Sequence, residues 1–222
     1  MEITFVAEDG EDLVGQIDYR EPEYQGIVFV IPGAFATDRY GSPLGFPALK
    51  NFYVPLKEKI ISQTNFAFFN YDRRKTGKST HENLSTPVEN DVFCIYRQIV
   101  NLFPNQQIVL LGQSYGAGTI KKYFRYFYEI QPPKGILLLS SLGKLTDDIL
   151  ESQIPVHVIV GENDDYGGMI IKENFHGYND SLISYDYLEA TDHLLCKYQK
   201  TGMRSMSILA LESIAKWLKN LP

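Results

Sequence analysis

The chain has 222 residues, 44% of them hydrophobic and 22% charged, an ordinary balance with enough apolar material for a large core. The formal charge of −6 argues against nucleic acid or an anionic membrane surface as the partner. Apolar runs such as 27–31 and 136–139 are strand-sized, too short to cross a bilayer. Met1-Glu2-Ile3-Thr4 lacks the basic start and apolar core of a signal peptide, so one cytoplasmic domain spanning 1–222 is expected. Cys94 and Cys196 fit core or half-buried thiols better than a disulfide.

In chain order, Ile3 to Val6 and Leu13 to Tyr19 alternate in polarity, and the Asp9-Gly10 pair between them signals a hairpin. Gly26 to Pro32 is a continuous apolar run, as suits a strand buried on both faces. A loop rich in Gly and Pro follows from Gly33 to Pro47, then an amphipathic segment near Phe52 to Ser62 and a strand from Phe66 to Tyr71. Val88 to Phe103 is helical by period, with Val92, Ile95, Tyr96, Ile99 and Phe103 on one face. Gln107 to Leu111 is a strand feeding a helix that runs through Ile130. Gly135 to Ser140, Pro155 to Gly161 and Leu182 to Tyr187 complete the strands, and Met203 to Leu221 reads as a closing helix. The pattern predicts an α/β fold: a mostly parallel central sheet, an N-terminal antiparallel hairpin, and helices on both faces. Only about a dozen residues separate Ser140 from Pro155, which leaves no room for a large lid there.

The chemistry concentrates where Ile108-Val109-Leu110-Leu111 ends in Gly112-Gln113-Ser114-Tyr115-Gly116 and passes into a helical pattern. Gly-x-Ser-x-Gly between strand and helix suits a nucleophile elbow, a strained turn whose glycines stand where side chains would collide with the neighbouring strand or the following helix. A serine hydroxyl needs a base to take its proton and a third group to orient that base. Of the histidines, His193 lies between the last strand and the final helix and is the expected base. His81 sits in a polar loop, His157 within an apolar strand, and His176 in a Gly- and Asn-rich turn. Val158-Ile159-Val160-Gly161-Glu162-Asn163-Asp164-Asp165 places two carboxylates just past a strand, where side chains enter a crevice. Asp164 is the expected acid, with Asp165 as its rival and Asp147 as the substitute after the preceding strand.

Two backbone donors are needed for an oxyanion, expected at Tyr115, after the nucleophile, and at Ala34, in the loop after the strand 27–31. Phe35 and Tyr40 are expected to line the substrate pocket, within a wider group of aromatics at Phe46, Phe52, Tyr53 and Tyr115 that core packing explains equally well. Thr76-Gly77-Lys78-Ser79-Thr80 ends like a phosphate-binding loop, but Asp72 stands where that motif requires a glycine.

Over nearly its whole length the chain resembles the α/β-hydrolase superfamily. The elbow at Gly112 to Gly116 carries the resemblance, together with Tyr71-Asp72-Arg73-Arg74-Lys75-Thr76-Gly77-Lys78-Ser79, similar to the Asp-x-Arg-Gly-x-Gly-x-Ser of relatives. Gly161-x-x-Asp164 and Asp192-His193 look like the acid and base positions, and Gly33-Ala34-Phe35-Ala36-Thr37-Asp38-Arg39-Tyr40-Gly41 resembles the Gly-Ser-Gly-Pro-Thr-Asp-Arg-Asp-Gly loop of a branch of small esterases. Pro32 stands where His is common and Lys75 where Gly is common. The resemblance implies the fold, serine-hydrolase chemistry and no cofactor or metal. The expected activity is cleavage of a carboxylic ester with a small or exposed acyl group through an acyl-enzyme on Ser114. A thioesterase or acyltransferase shares that intermediate, and a non-catalytic module using the cleft for a ligand is a third reading. The partner expected is a small-molecule ester or thioester, with no nucleic acid and no membrane; the oligomeric state is left open.

Overall fold

The computed structural model describes residues 1–21, 23–79, 87–165, 181–197 and 204–221. Among them, eight strands form one sheet: β1 (Glu2–Val6), β2 (Asp12–Asp18), β3 (Gly26–Ile31), β4 (Phe66–Tyr71), β5 (Gln107–Gln113), β6 (Gly135–Leu139), β7 (Val156–Asn163) and β8 (Ile183–Asp192). Their order is β1-β2-β4-β3-β5-β6-β7-β8. β1–β2 and β2–β4 pair antiparallel, and every other pair is parallel. The helices are α1 (Val54–Gln63), α2 (Val88–Leu102), α3 (Tyr115–Lys122), α4 (Phe124–Ile130), α5 (Asp147–Glu151) and α6 (Ile208–Lys219).

The period of two along a strand divides the core in two. On β3, wholly buried, Ile27, Phe29 and Ile31 face one core with Val92, Ile95 and Ile99 of α2, Ile120 of α3 and Phe127 of α4. Val28 and Val30 face the other core with Leu56 and Ile60 of α1 and Leu211, Ile214 and Leu218 of α6. Each such side chain, fully removed from water, contributes about 1.5–3 kcal/mol, which is why an unbroken apolar run marks a strand covered on both sides. The mostly parallel α/β architecture with its antiparallel N-terminal hairpin is as the sequence predicts.

Several boundaries differ. The helix expected to run through Ile130 is interrupted at Tyr123, whose φ of −119° and ψ of 25° leave the helical region between α3 and α4. β8 continues to Asp192 rather than stopping at Tyr187; as an edge strand it buries little beyond Leu188 and Thr191, so the apolar alternation fades while the pairing with β7 persists. α6 begins at Ile208, where the Ser207 hydroxyl accepts the Ala210 N–H as a cap. Met203, the expected start, lies outside the described residues. The short α5 carries no amphipathic period and was not expected.

This topology places a site. After β3 the chain reaches α1 on one face and after β5 it enters α3 on the other, so the chain leaves these adjacent strands in opposite directions at their C-terminal ends. A parallel sheet opens a crevice at such a switch point.

Candidate active site

Ser114 sits at the end of β5 with φ 52° and ψ −110°, a conformation that a non-glycine residue holds only when its surroundings force it. Its N–H donates to Leu139 O at 2.8 Å and its carbonyl accepts the Gly118 N–H at 3.0 Å, so β6 and α3 hold the turn from both sides. The glycines are steric requirements. A Cβ on Gly116 would lie 1.9 Å from Ile31 O of β3, and one on Gly112 would lie 2.6 Å from Ala117 N of α3. These are the two collisions, with neighbouring strand and following helix, anticipated from the motif.

The Ser114 Oγ lies 2.8 Å from His193 Nε2. His193 follows directly on β8, and its Nδ1 lies 2.8 and 2.9 Å from the two carboxylate oxygens of Asp164. With a carboxylate facing Nδ1, the ring proton sits there and Nε2 accepts the serine O–H. The Asp164 side chain is 0% exposed and the His193 imidazole 21%, so the carboxylate is sealed and the ring opens to the cleft. Asp164 follows the last residue of β7, beyond a register shift between Gly161 and Asn163. Asp165 is exposed and lines the cavity; Asp147 lies in the first turn of α5. His81 and His176 lie outside the described residues. His157 is packed between β8 and α6, with Nδ1 2.9 Å from Ser184 Oγ, Nε2 2.8 Å from Ser213 Oγ, and its ring stacked on Trp217.

The two expected backbone donors flank the serine. Tyr115 is the first residue of α3, where helical N–H groups lack intrahelical acceptors and carry the positive end of the helix dipole. Its phenol donates to Glu89 Oε1 at 2.6 Å, which pushes the phenol up to about 12 and holds the Glu89 carboxyl below its usual range. Ala34 lines the cavity, and its N–H makes no backbone hydrogen bond among the described residues. A Cβ on the preceding Gly33 would stand 3.8 Å from Ser114 Cβ, so this loop lies against Ser114.

The cavity measures about 510 Å³. Phe35, Leu49, Phe52 and Tyr53 form an apolar wall, while Asp165 and the ion-paired Asp192 and Arg204 form a polar one. Phe35 is part of that wall, its ring tilted against Phe46 with centroids 4.6 Å apart. Tyr40 is not part of the lining; its ring lies 5.9 Å from Lys57 Nζ, outside the cleft.

Sequence reasoning missed the groups that hold the loop. Arg73 Nη1 donates to Gly33 O at 2.8 Å and to Phe35 O at 2.7 Å. Asp72, fully buried, accepts from the Arg39 backbone and guanidinium and from the Lys78 N–H. Tyr53 O–H donates to Gln113 Oε1 at 2.6 Å. The resemblance at Asp72-Arg73 marked the place but not the contacts. The segment resembling a phosphate-binding loop is occupied internally: Thr76 Oγ1 donates to Thr37 O, Ser79 Oγ accepts the Val14 N–H, and Lys78 Nζ bonds Glu2, with Thr80 outside the described residues. Among the described residues, no cluster of three or more His, Cys, Asp or Glu could hold a metal ion, and no helix is long and apolar enough to cross a membrane.

No protein-family model matches the chain, and neither does any curated protein. Solved structures do. An esterase domain from Rhodothermus marinus superposes with a TM-score of 0.69 at 13% identity, over 99% of this chain and 97% of that one. A lidless serine hydrolase of Xanthomonas campestris, XC6422, gives 0.62 at 15% identity over 87% and 85%. A soluble variant of monoglyceride lipase from Saccharomyces cerevisiae, solved with a substrate analogue, gives 0.68 at 10% over 96% and 93%. At these identities the likeness establishes the α/β-hydrolase fold.

Proposed function

We propose that this chain is a serine hydrolase that cleaves a small-molecule carboxylic ester through an acyl-enzyme on Ser114. The observation that carries the reading is the continuous relay from Ser114 Oγ through the His193 imidazole to the buried Asp164, opening into a cavity. As Ser114 Oγ attacks the ester carbonyl carbon, its proton passes to His193 Nε2. The Asp164 carboxylate stabilises the imidazolium and keeps the ring oriented. The carbonyl oxygen, now negative, takes the Ala34 and Tyr115 N–H groups. Collapse breaks the bond to the leaving alkoxide, which receives the proton from Nε2. Water then enters, gives a proton to the same nitrogen, attacks the acyl carbon and releases the acid and Ser114. The open cleft and the short link between β6 and β7, holding only α5, favour a small or exposed acyl group.

A nitrophenyl-ester panel of graded acyl length, run beside a fluorophosphonate probe, tests the reading. The wild type should turn over the short esters and take the label, and Ser114→Ala should do neither. Labelling that survives Ser114→Ala would remove the serine from its role. Acyl transfer to thiols, assayed on the same enzyme, separates hydrolase from acyltransferase.

A further inference from the structure

We infer that Arg73 is a positioning residue for the oxyanion hole: its guanidinium fixes the direction of the Gly33–Ala34 peptide and thereby aims the Ala34 N–H at the reacting carbonyl. The inference rests on the proposed reading of Ser114 and concerns a group that does not line the cavity.

A trans peptide is planar, with its C=O and N–H pointing in opposite directions. The chain contains no cis peptide bond among the described residues. Arg73 Nη1, with two protons, gives one to Gly33 O and one to Phe35 O. Because the Gly33 carbonyl is drawn out of the cleft towards β4's end, the Ala34 N–H must point the other way, and Ala34 lines the cavity. The Gly33–Ala34 peptide cannot flip without losing its charge-assisted bond to Arg73.

The charge matters too. Arg73 is 9% exposed, yet no carboxylate lies within ion-pair distance of it among the described residues. The neighbouring Asp72, the obvious partner, spends its oxygens on Arg39 and the Lys78 N–H. Arg74, next in sequence, is by contrast paired with both Asp9 and Asp91. A buried cation is therefore left bonded to the two carbonyls of the oxyanion loop. It polarises the peptide whose N–H meets the oxyanion, and its field favours negative charge on that side of Ser114.

The test is a series, Arg73→Lys, Arg73→Gln and Arg73→Met, assayed on a short nitrophenyl ester alongside fluorophosphonate labelling and thermal unfolding. Loss of one oxyanion donor costs about 10²–10³ in turnover. Arg73→Met should approach that loss in kcat with KM changed little, and its labelling rate should fall in parallel. Arg73→Lys keeps the charge and should recover part of the rate, with Arg73→Gln below it. A folded Arg73→Met with wild-type kcat, or a rise in KM alone, overturns the inference while leaving the hydrolase reading intact. Should Arg73→Met fail to fold, Arg73→Lys and Arg73→Gln decide the matter, and equal kcat in those two would remove the role of charge. A wild type that neither hydrolyses esters nor takes the label removes both the reading and the inference.

Discussion

Two clusters in this molecule bring together serine, histidine and aspartate, and the same distance separates His Nε2 from Ser Oγ in each. Ser114 and His193 meet at 2.8 Å beside Asp164, and Ser213 and His157 meet at 2.8 Å beside Asp186. The first lies at the C-terminal ends of β5, β7 and β8; the second is sandwiched between the β7–β8 pair and α6. What separates them is the direction of the protons. At Ser114 the carboxylate holds Nδ1, leaving Nε2 to accept the hydroxyl proton. At Ser213 the hydroxyl donates to Asp186, so His157 Nε2 must donate to the serine, and Nδ1 meets Ser184 instead of a carboxylate. That imidazole cannot act as a base towards Ser213. Nor does a turn of spare N–H groups stand next to Ser213, which lies inside α6, whereas Ser114 opens α3. Residue types and a short contact therefore do not define a nucleophilic site; tautomer, backbone strain and spare donors do.

The widest separation between the clusters should come from their serines. Ser114→Ala should lower ester turnover by roughly 10⁴–10⁶, the scale of a nucleophile acting with its base. Ser213→Ala should leave kcat within a few-fold of wild type and instead cost about 0.5–1.5 kcal/mol of stability through the lost hydrogen bonds. Measuring turnover and unfolding on both variants tests the contrast, and a dead Ser213→Ala enzyme of normal stability would break it.

The aspartates come next. Asp164→Asn presents Nδ1 with an amide that can favour the wrong tautomer, an effect of about 10⁴ where it has been measured in a triad. Asp165→Asn and Asp186→Asn should each stay within about tenfold, since neither carboxylate holds the His193 Nδ1. A larger loss with Asp165→Asn than with Asp164→Asn would move the acid by one residue.

How far this could be read in advance depended on the kind of signal. Buried inner strands such as β3 and the steric demands of Gly112 and Gly116 are local, so the elbow and its fold context were legible. His193 was reachable by elimination and chain order. The choice of Asp164 over Asp165 turns on the irregularity between Gly161 and Asn163, which shifts the register against β8 and decides which carboxylate turns inward. No periodicity reports that. Arg73 meets carbonyls 40 and 38 residues away, and Tyr53 meets Gln113 across 60, contacts that exist only once β3, β4 and β5 are side by side. Tyr40 was misplaced because an exposed loop aromatic carries no sign of which way it faces.

A third set of substitutions asks whether the strained turn belongs to the first cluster alone. Gly116→Ala drives a methyl into the Ile31 carbonyl, and should cost about 3 kcal/mol or more with loss of activity. Gly118→Ala, two residues on in the same helix, meets nothing within 4 Å and should stabilise by about 0.5–1 kcal/mol at unchanged turnover. Chemical denaturation of both variants measures the difference.

The smallest effect belongs to His157 and concerns pH. Burial pushes this imidazole below its ordinary value of 6.5, with the nearby Asp186 carboxylate, 3.7 Å from Nε2, only partly opposing the shift. The unfolded chain therefore binds a proton at His157 more readily than the folded one, so stability rises with pH through this window and falls as pH drops below 6.5. Each pKa unit of depression removes about 1.4 kcal/mol once the pH lies below both values, or roughly 2–4 °C in melting temperature per kcal/mol for a chain of this size. His157→Gln can keep contacts with Ser184 and Ser213 but does not titrate. Its melting temperature should fall less than that of wild type between pH 7 and pH 5, and parallel curves would show that folding does not disfavour the His157 charge. Because His157 stands outside the cleft, the same substitution should leave kcat at a fixed pH within a few-fold of wild type.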